Sequence, residues 1–271
     1  MDSFDNKDYW EARLREHYTL AGVGYLRLGR RYNEWMYRIR GEVFDRVVAG
    51  LGEWKGRDIL DIGSGTGFYV ERWLGLGARV VGLDLTDVAV ERLSSRYPQA
   101  RFVRADIGEP LDGGGRLPLR AASFHAASAF DVLFHIVDDA AYARTFHNIA
   151  ALLRPGGWLL WSDNFLRHPA ERIRHQASRP LADSLRLVEA AGFEVVNRVP
   201  MFFLMNYPAD TRSRLARWTW TAMVAPAMLA EPLGWAVGAV LYPIERALVR
   251  RLRESPSTEL MVCRKRPGIR D

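Results

Sequence analysis

Residues 59–85 read ILDIGSGTGFYVERWLGLGARVVGLDL: an apolar run passes into three glycines at alternate positions, then a helical segment, then a second apolar run ending at Asp84. A chain that leaves a buried strand and turns at once into a helix exposes backbone N–H groups without partners, and glycine lets that backbone approach a ligand closely. Gly63, Gly65 and Gly67 supply this freedom. Asp84, 21 residues beyond Gly63, has the spacing of an acid that accepts hydrogen bonds from a ribose diol at the mouth of a doubly wound sheet. These features describe a nucleoside site. A dinucleotide fingerprint would be G-x-G-x-x-G, whereas here the third glycine comes one residue early and Asp61 stands two residues ahead of the first.

The loop Asp-Ile-Gly-Ser-Gly-Thr-Gly resembles the cofactor loop of the class I S-adenosylmethionine-dependent methyltransferases of small-molecule type. The resemblance implies S-adenosylmethionine as cofactor and S-adenosylhomocysteine as product. It places Asp61 near the amino-acid part of the cofactor, Gly63, Ser64, Gly65 and Gly67 along it, and Asp84 with Leu85 at the ribose. Three further stretches resemble the same family, so that the likeness covers roughly residues 40 to 200. ARFVRADIGEPL (100–111) puts Asp106 and Ile107 where the family contacts adenine. SFHAASAFDVLFHI (123–136) resembles the fourth strand and the loop beyond it, with Phe130 counted among the cofactor residues and His125 standing where an Asp is usual. LLRPGGWLLWSDNF (152–165) resembles a helix end, a Pro-Gly-Gly turn and the fifth strand.

The fold implied is α/β: a Rossmann-like, doubly wound, seven-stranded sheet of order 3-2-1-4-5-7-6 with strand 7 antiparallel. N-terminal helices precede it and a helical cap is inserted before the last strand. Pattern predicts strands near 57–62, 79–84, 101–104, 124–130, 157–163, 193–199 and 258–265. The division expected is a lid over residues 1–50, a cofactor-binding core over 51–205, a cap over 206–256, and the last strand with a tail over 257–271. Apolar residues at Ala143, Phe146, Ile149, Ala150 and Leu153 form a helical stripe for packing on the sheet.

At 271 residues the chain can bury a substantial core. A single cysteine, Cys263, excludes an internal disulfide, and the charged stretch MDSFDNKDYWEARLRE does not read as a secretion signal, so a reducing cytoplasm is expected. The net charge of +6 is carried almost wholly by arginine, with lysine only at Lys7, Lys55 and Lys265. No block of like charge and no basic arm accompanies it, so a nucleic-acid partner is not expected. Trp218 to Tyr242 contains one charge, Glu231, in 25 residues, but Pro226, Pro232 and Gly234 divide it. Two apolar helices capping a pocket fit this better than one spanning helix. Arginines flank the pair, so peripheral membrane contact through residues 212–253 is an alternative.

Methyl transfer from a sulfonium is an in-line displacement; the enzyme orients the acceptor and, for a hydroxyl, removes a proton. His135 follows the fourth strand in the loop facing the sulfonium and is the candidate base. Tyr18, next to His17 and ahead of Gly22 and Gly24, is the candidate acceptor-orienting residue of a lid rich in aromatic side chains (Tyr9, Trp10, Tyr25, Tyr32, Trp35, Tyr37). Tyr18, Tyr25 and Tyr32 at seven-residue steps predict one face of an interrupted helix. The reading takes no metal, with magnesium as the alternative. Asp131, Asp163 and Asn164 occupy the places that supply magnesium ligands in the catechol-type methyltransferases. His168, Glu171 and His175 fall on one face of an expected surface helix, read as solvated rather than as a zinc site. The activity implied is methylation of a small, partly apolar acceptor at a hydroxyl: a secondary metabolite, or a glycosylated or lipid-like compound. N- or C-methylation, a magnesium-dependent O-methyltransferase and a noncatalytic cofactor-binding assembly protein are the alternatives. The oligomeric state is not legible.

Overall fold

The computed structural model describes residues 5–110 and 118–267; Leu111 and the outer ends of the expected lid and tail lie outside the described residues. The N-terminal region forms α1 (Asn6–Glu16), α2 (Leu20–Val23), a 3₁₀ turn (Leu26–Leu28) and α3 (Gly29–Ala49). The alternating core follows: β1 (Asp58–Ile62), α4 (Phe68–Gly75), β2 (Arg79–Asp84), α5 (Asp87–Arg96), β3 (Arg101–Arg104), β4 (Phe124–Phe130), a 3₁₀ turn (Leu133–His135), α6 (Asp139–Leu152) and β5 (Leu153–Asp163). A small hairpin, β6 (Glu171–Ile173) and β7 (Gln176–Ser178), leads to α7 (Leu181–Ala190) and β8 (Phe193–Pro200). The insertion α8 (Arg214–Val224), a 3₁₀ turn (Ala225–Met228) and α9 (Glu231–Arg251) precedes β9 (Glu259–Lys265).

The large sheet has the order β3-β2-β1-β4-β5-β9-β8, with β9 antiparallel to both neighbours. Counting its strands alone gives 3-2-1-4-5-7-6, the expected topology. Near-continuous apolar strands such as Ile59–Ile62 suit a parallel sheet covered on both faces. One face packs on α3 and α4 through Phe44, Val70 and Trp73; the other packs on α6 and α7 through Tyr142, Phe146 and Val188. Side-chain oxygens cap the helices that open beside the sheet's carboxyl end: Thr86 Oγ1 accepts from Ala89 N, and Asp138 Oδ1 from Ala141 N.

Three expectations change. Residues 171–178 form a hairpin rather than a surface helix. Pro169 and Pro180 bound the segment, and Arg172 fastens it to Asp139 and to the carbonyl of Val137, contacts that no local periodicity reveals. Tyr18, Tyr25 and Tyr32 share no helix face, because Tyr18 and Tyr25 lie in the connections around α2, which ends at Gly24. The fifth strand begins at Leu153, not Gly157; the Pro-Gly-Gly turn sits inside it as a bulge opposite Phe124 and Ala126.

Candidate active site

A cavity of about 540 Å³ opens at the carboxyl ends of β1, β2 and β4, the switch point at which doubly wound sheets bind ligands. Its floor is the glycine loop. Gly63 has φ +68°, and a Cβ there would lie 2.3 Å from Val132 Cγ2, so only glycine lets β1 pass under the β4 loop. Gly67 opens α4 at φ +85°, and a Cβ there would meet Leu93 at 2.6 Å. Gly65 N donates to Asp84 Oδ2 at 2.8 Å, while Asp84 Oδ1 accepts from Thr86 N and Oγ1 at 2.9 and 2.7 Å. The carboxylate is therefore held in place, with lone pairs left for further donors. Burial raises its pKa. Leu85, Asp106 and Ile107 line the same end.

Asp61 lies beneath this surface rather than among its lining residues. Its Oδ1 accepts from Ser128 Oγ at 2.6 Å, and that hydroxyl accepts from Trp73 Nε1 at 3.0 Å. Burial pushes the carboxyl pKa up to about 7. Ser64 reinforces the turn by donating its hydroxyl to the Asp61 carbonyl at 3.0 Å.

The other end of the cavity is aromatic. Phe130 stacks on Tyr69 at 3.9 Å and 16°, with Tyr37 and Phe68 beside them and Trp10 contributed by α1. The Tyr69 hydroxyl is buried and has no hydrogen-bond partner among the described residues. His135, on the 3₁₀ turn after β4, makes an edge contact with Trp10 at 4.7 Å. Its Nδ1 lies 2.8 Å from the carbonyl oxygen of His175 at the tip of the β6–β7 hairpin. A carbonyl only accepts, so Nδ1 carries the proton and Nε2 keeps its lone pair. Burial lowers the imidazolium pKa to about 4, which leaves the ring neutral at physiological pH.

Beside His135, Asp131 follows β4 with φ +57°, unusual for a residue with a side chain. Arg40 of α3 grips its Oδ2 through Nε and Nη2 at 2.8 and 2.6 Å, and Ser162 Oγ donates to Oδ1 at 3.0 Å. The Arg40 guanidinium is itself sandwiched between Tyr37 and Phe202, 4.8 Å from each ring centre. This partly buried pair ties the N-terminal region to the rim of the cavity. Helix α1 closes the top: Asn6 Nδ2 donates to the His135 carbonyl, and Glu11 Oε2 accepts from Asp87 N at 2.7 Å.

Comparison with known proteins bears on this arrangement. A family model described as a methyltransferase domain matches residues 59–157, the segment from β1 into β5 that carries the glycine loop, Asp84 and His135. The "Probable S-adenosylmethionine-dependent methyltransferase" of Mycolicibacterium smegmatis is 29% identical over 176 residues, 63% of this chain and 63% of the relative. A ubiquinone biosynthesis O-methyltransferase of Thiobacillus denitrificans is 31% identical over 109 residues, 40% of this chain and 44% of the relative. The chain thus spans less than two thirds of the length of either curated relative. Among solved structures, the Burkholderia thailandensis 1,6-didemethyltoxoflavin-N1-methyltransferase, bound to its substrate and S-adenosylhomocysteine, shares the fold with a TM-score of 0.50 at 20% identity. It covers 86% of this chain and 78% of its own. Residues 59–157 thus match a methyltransferase domain, and the chain as a whole is similar to S-adenosylmethionine-dependent methyltransferases in sequence and fold.

The cofactor of that family suits the residues present. The protein presents a carboxylate with spare lone pairs at Asp84, an approach at Gly63 that a Cβ would fill, and an apolar neighbour at Ile107. All the expected cofactor residues except Asp61 and Gly67 line the cavity; those two lie just behind it and shape the loop. His135 also lines it. Tyr18 does not: its hydroxyl donates to the Gly65 carbonyl at 3.0 Å, and Arg92 lies 4.5 Å over its ring. It braces the glycine loop from outside instead of reaching an acceptor. The expected cap also stands apart, because no described residue of 206–254 lines the cavity; α9 packs against α3, with Gly238 admitting Trp35.

The oxygen ligands of the magnesium alternative do not converge. Both carboxylate oxygens of Asp131 are engaged by Arg40 or Ser162, and neither Asp163 nor Asn164 lines the cavity. Asp163 Oδ1 accepts from Asn164 N, and Asn164 Oδ1 accepts from Thr258 Oγ1. His168 and His175 are likewise separated in role, His168 near Asp210 and His175 stacked on Tyr9 at 4.9 Å.

Four residues of the site escaped sequence reasoning: Asn6, Arg40, Tyr69 and the carbonyl of His175. Arg40 left a readable trace, since it interrupts the buried stripe Met36, Ile39, Val43 and Phe44 of α3, and an arginine in an apolar stripe implies a buried anion. The other three act through tertiary contacts alone.

Proposed function

We propose that this chain transfers a methyl group from S-adenosylmethionine to a hydroxyl oxygen of a small, partly apolar acceptor. When bound, the cofactor supplies a methyl group on a sulfonium, already activated for displacement. In this reading Asp84 takes the ribose hydroxyls, Asp106 and Ile107 hold the base, and the glycine loop lies along the amino-acid part, with Asp61 positioning the loop through Ser128 and Ser64. Residues 1–50 act as the lid, 51–205 with the last strand as the catalytic core, and 206–256 as a cap on the outside of the lid's long helix.

The observation that carries the acceptor reading is the tautomer of His135. Its Nδ1–H is committed to the His175 carbonyl, which leaves Nε2 as a neutral acceptor beside a cavity lined by aromatic side chains. His135 Nε2 takes the proton as the acceptor oxygen forms its bond to the methyl carbon and the carbon–sulfur bond breaks. Because an imidazolium with a pKa near 4 returns its proton readily to water, the base is regenerated without a further group. Trp10, Phe68 and Phe130 favour an apolar body on the acceptor. The test offers S-adenosylmethionine and a panel of phenols and apolar alcohols to the protein and locates the added methyl group by mass spectrometry and NMR. A methyl ether formed by wild type and lost in His135→Ala is expected; methylation at nitrogen or carbon would sink the reading.

A further inference from the structure

The outer surface of the α8–α9 insertion remains unexplained by any part of the transfer site. Leu215 and Trp218 on α8 are 69% and 67% exposed, Leu229 between the helices is 79% exposed, and Val240 on α9 is 66% exposed. On α9 the outward residues Leu233, Val240 and Ile244 recur at helical spacing. They stand opposite the buried row Gly234, Gly238, Leu241, Glu245 and Val249, which packs toward α3. Large apolar side chains exposed on two neighbouring helices and on the turn between them are more than the scattered exposure of an ordinary surface.

The charges around this face are sorted. Its acids are already engaged: Glu254, 61% exposed, pairs with Arg167 and Arg198, and the exposed Glu231 accepts from Arg30 N and Arg31 N at 2.9 and 2.7 Å, capping α3. Glu245 accepts from three successive backbone N–H groups, those of Phe203, Leu204 and Met205. Asp210 is paired with Arg167. By contrast Arg212 and Arg214 before the pair, and Arg251 and Arg253 after it, are exposed and have no carboxylate partner among the described residues. An apolar ridge with tryptophan on it and unneutralised arginines at both ends is the pattern of a segment lying in the headgroup layer of a membrane. Among the described residues no helix is long and apolar enough to cross one.

We propose that the outer face of α8 and α9 docks on the surface of an anionic lipid bilayer. Leu215, Trp218, Leu229 and Val240 enter the interfacial layer, and the four unpaired arginines meet lipid phosphates. A second copy of the chain is the less suitable occupant, since a two-fold contact through this face would set arginine rims against each other, and the exposed carboxylates there, Glu231 and Glu254, are already engaged within the chain. An anionic bilayer supplies the missing countercharge.

The experiment is co-sedimentation of the full chain with vesicles of phosphatidylcholine alone and of phosphatidylcholine with one third phosphatidylglycerol. Binding is expected to the second only, weakening as salt rises. Trp218→Ser with Val240→Ser is expected to reduce it by about tenfold or more, and Arg212→Ser with Arg251→Ser by a similar factor. Both double variants should keep the wild-type circular dichroism and affinity for S-adenosylhomocysteine, because none of these residues reaches the cavity. Absence of binding to anionic vesicles, or equal binding by wild type and the tryptophan variant, overturns the proposal. So does a dimer in light scattering that the tryptophan variant abolishes, which would assign the face to a second copy.

Discussion

The Nδ1 atom of His135 lies 2.8 Å from the carbonyl oxygen of His175, 40 residues away at the tip of a hairpin. This contact sets the tautomer of the one imidazole that lines the cavity. Replacing His135 with Gln is expected to lower kcat by about 10²–10⁴-fold, the range for loss of a general base. Binding of S-adenosylhomocysteine should stay within a few-fold of wild type. Unchanged turnover in the variant would remove His135 from the chemistry.

The same histidine makes stability depend on pH. Its pKa is about 4 in the fold against 6.5 when free, so below pH 6.5 the unfolded chain takes up a proton that the folded chain refuses. The stability present above pH 6.5 is therefore lost as pH falls toward 4, by about 3 kcal/mol for this one group. Asp61 and Asp163, whose pKa values are raised to about 7 by burial, act in the opposite direction over the same window. The isolated effect appears as the difference between wild type and His135→Gln in denaturant melts at pH 7 and pH 5. The difference should shrink at the lower pH.

Arg40 is buried and Asp131 partly buried, with 6% and 16% of their side chains exposed. Arg40→Met leaves Asp131 without its counter-ion, and because Asp131 also faces the cavity the cost should fall toward the lower end of the range of about 3–5 kcal/mol seen when one partner of a buried pair is removed. Chemical denaturation should show this, with a lower midpoint and an unchanged slope. A loss below 1 kcal/mol would mean that Asp131 finds water in the cavity.

Tyr18→Phe separates bracing from catalysis. Removing its hydroxyl bond to the Gly65 carbonyl should cost about 0.5–1.5 kcal/mol. Cofactor affinity should weaken accordingly, while kcat at saturating cofactor stays near wild type. A fall in kcat alone would return Tyr18 to the transfer site.

Gly63→Ala tests the loop directly. The new methyl group would meet Val132 at a backbone angle of φ +68°, with strain of about 1–3 kcal/mol before the clash is relieved. Calorimetric titration should show weakened S-adenosylhomocysteine binding, and Val132→Ala in the same chain should restore part of it.

The topology was legible because each of its signals is local: short apolar strands, glycines where the backbone turns, and acids at strand ends, read in the right order along the chain. The donor half of the site was legible for the same reason, since Gly63, Gly65 and Asp84 belong to consecutive elements of one strand–helix–strand unit. His135 was also visible, as part of the run that leaves β4. Its environment was not, because the hairpin that orients it reads by spacing as a helix and takes its shape from contacts with Asp139 and Val137. Tyr18 was assigned to the acceptor on sequence proximity to a glycine hinge, and the fold turns its hydroxyl to the back of the loop.

The apolar insertion shows the same division. Its composition and its two-helix form follow from Pro226, Pro232 and the run between them, but which face is buried depends on where α9 meets α3. There Gly238 admits Trp35 and Glu245 closes three backbone donors. Chain periodicity thus determined the sheet, the glycine loop and the family's cofactor end, because those depend on neighbours in sequence. The Arg40–Asp131 pair, the His135 tautomer and the outward face of α8 and α9 were decided only when the chain closed, because each depends on groups brought together from distant elements.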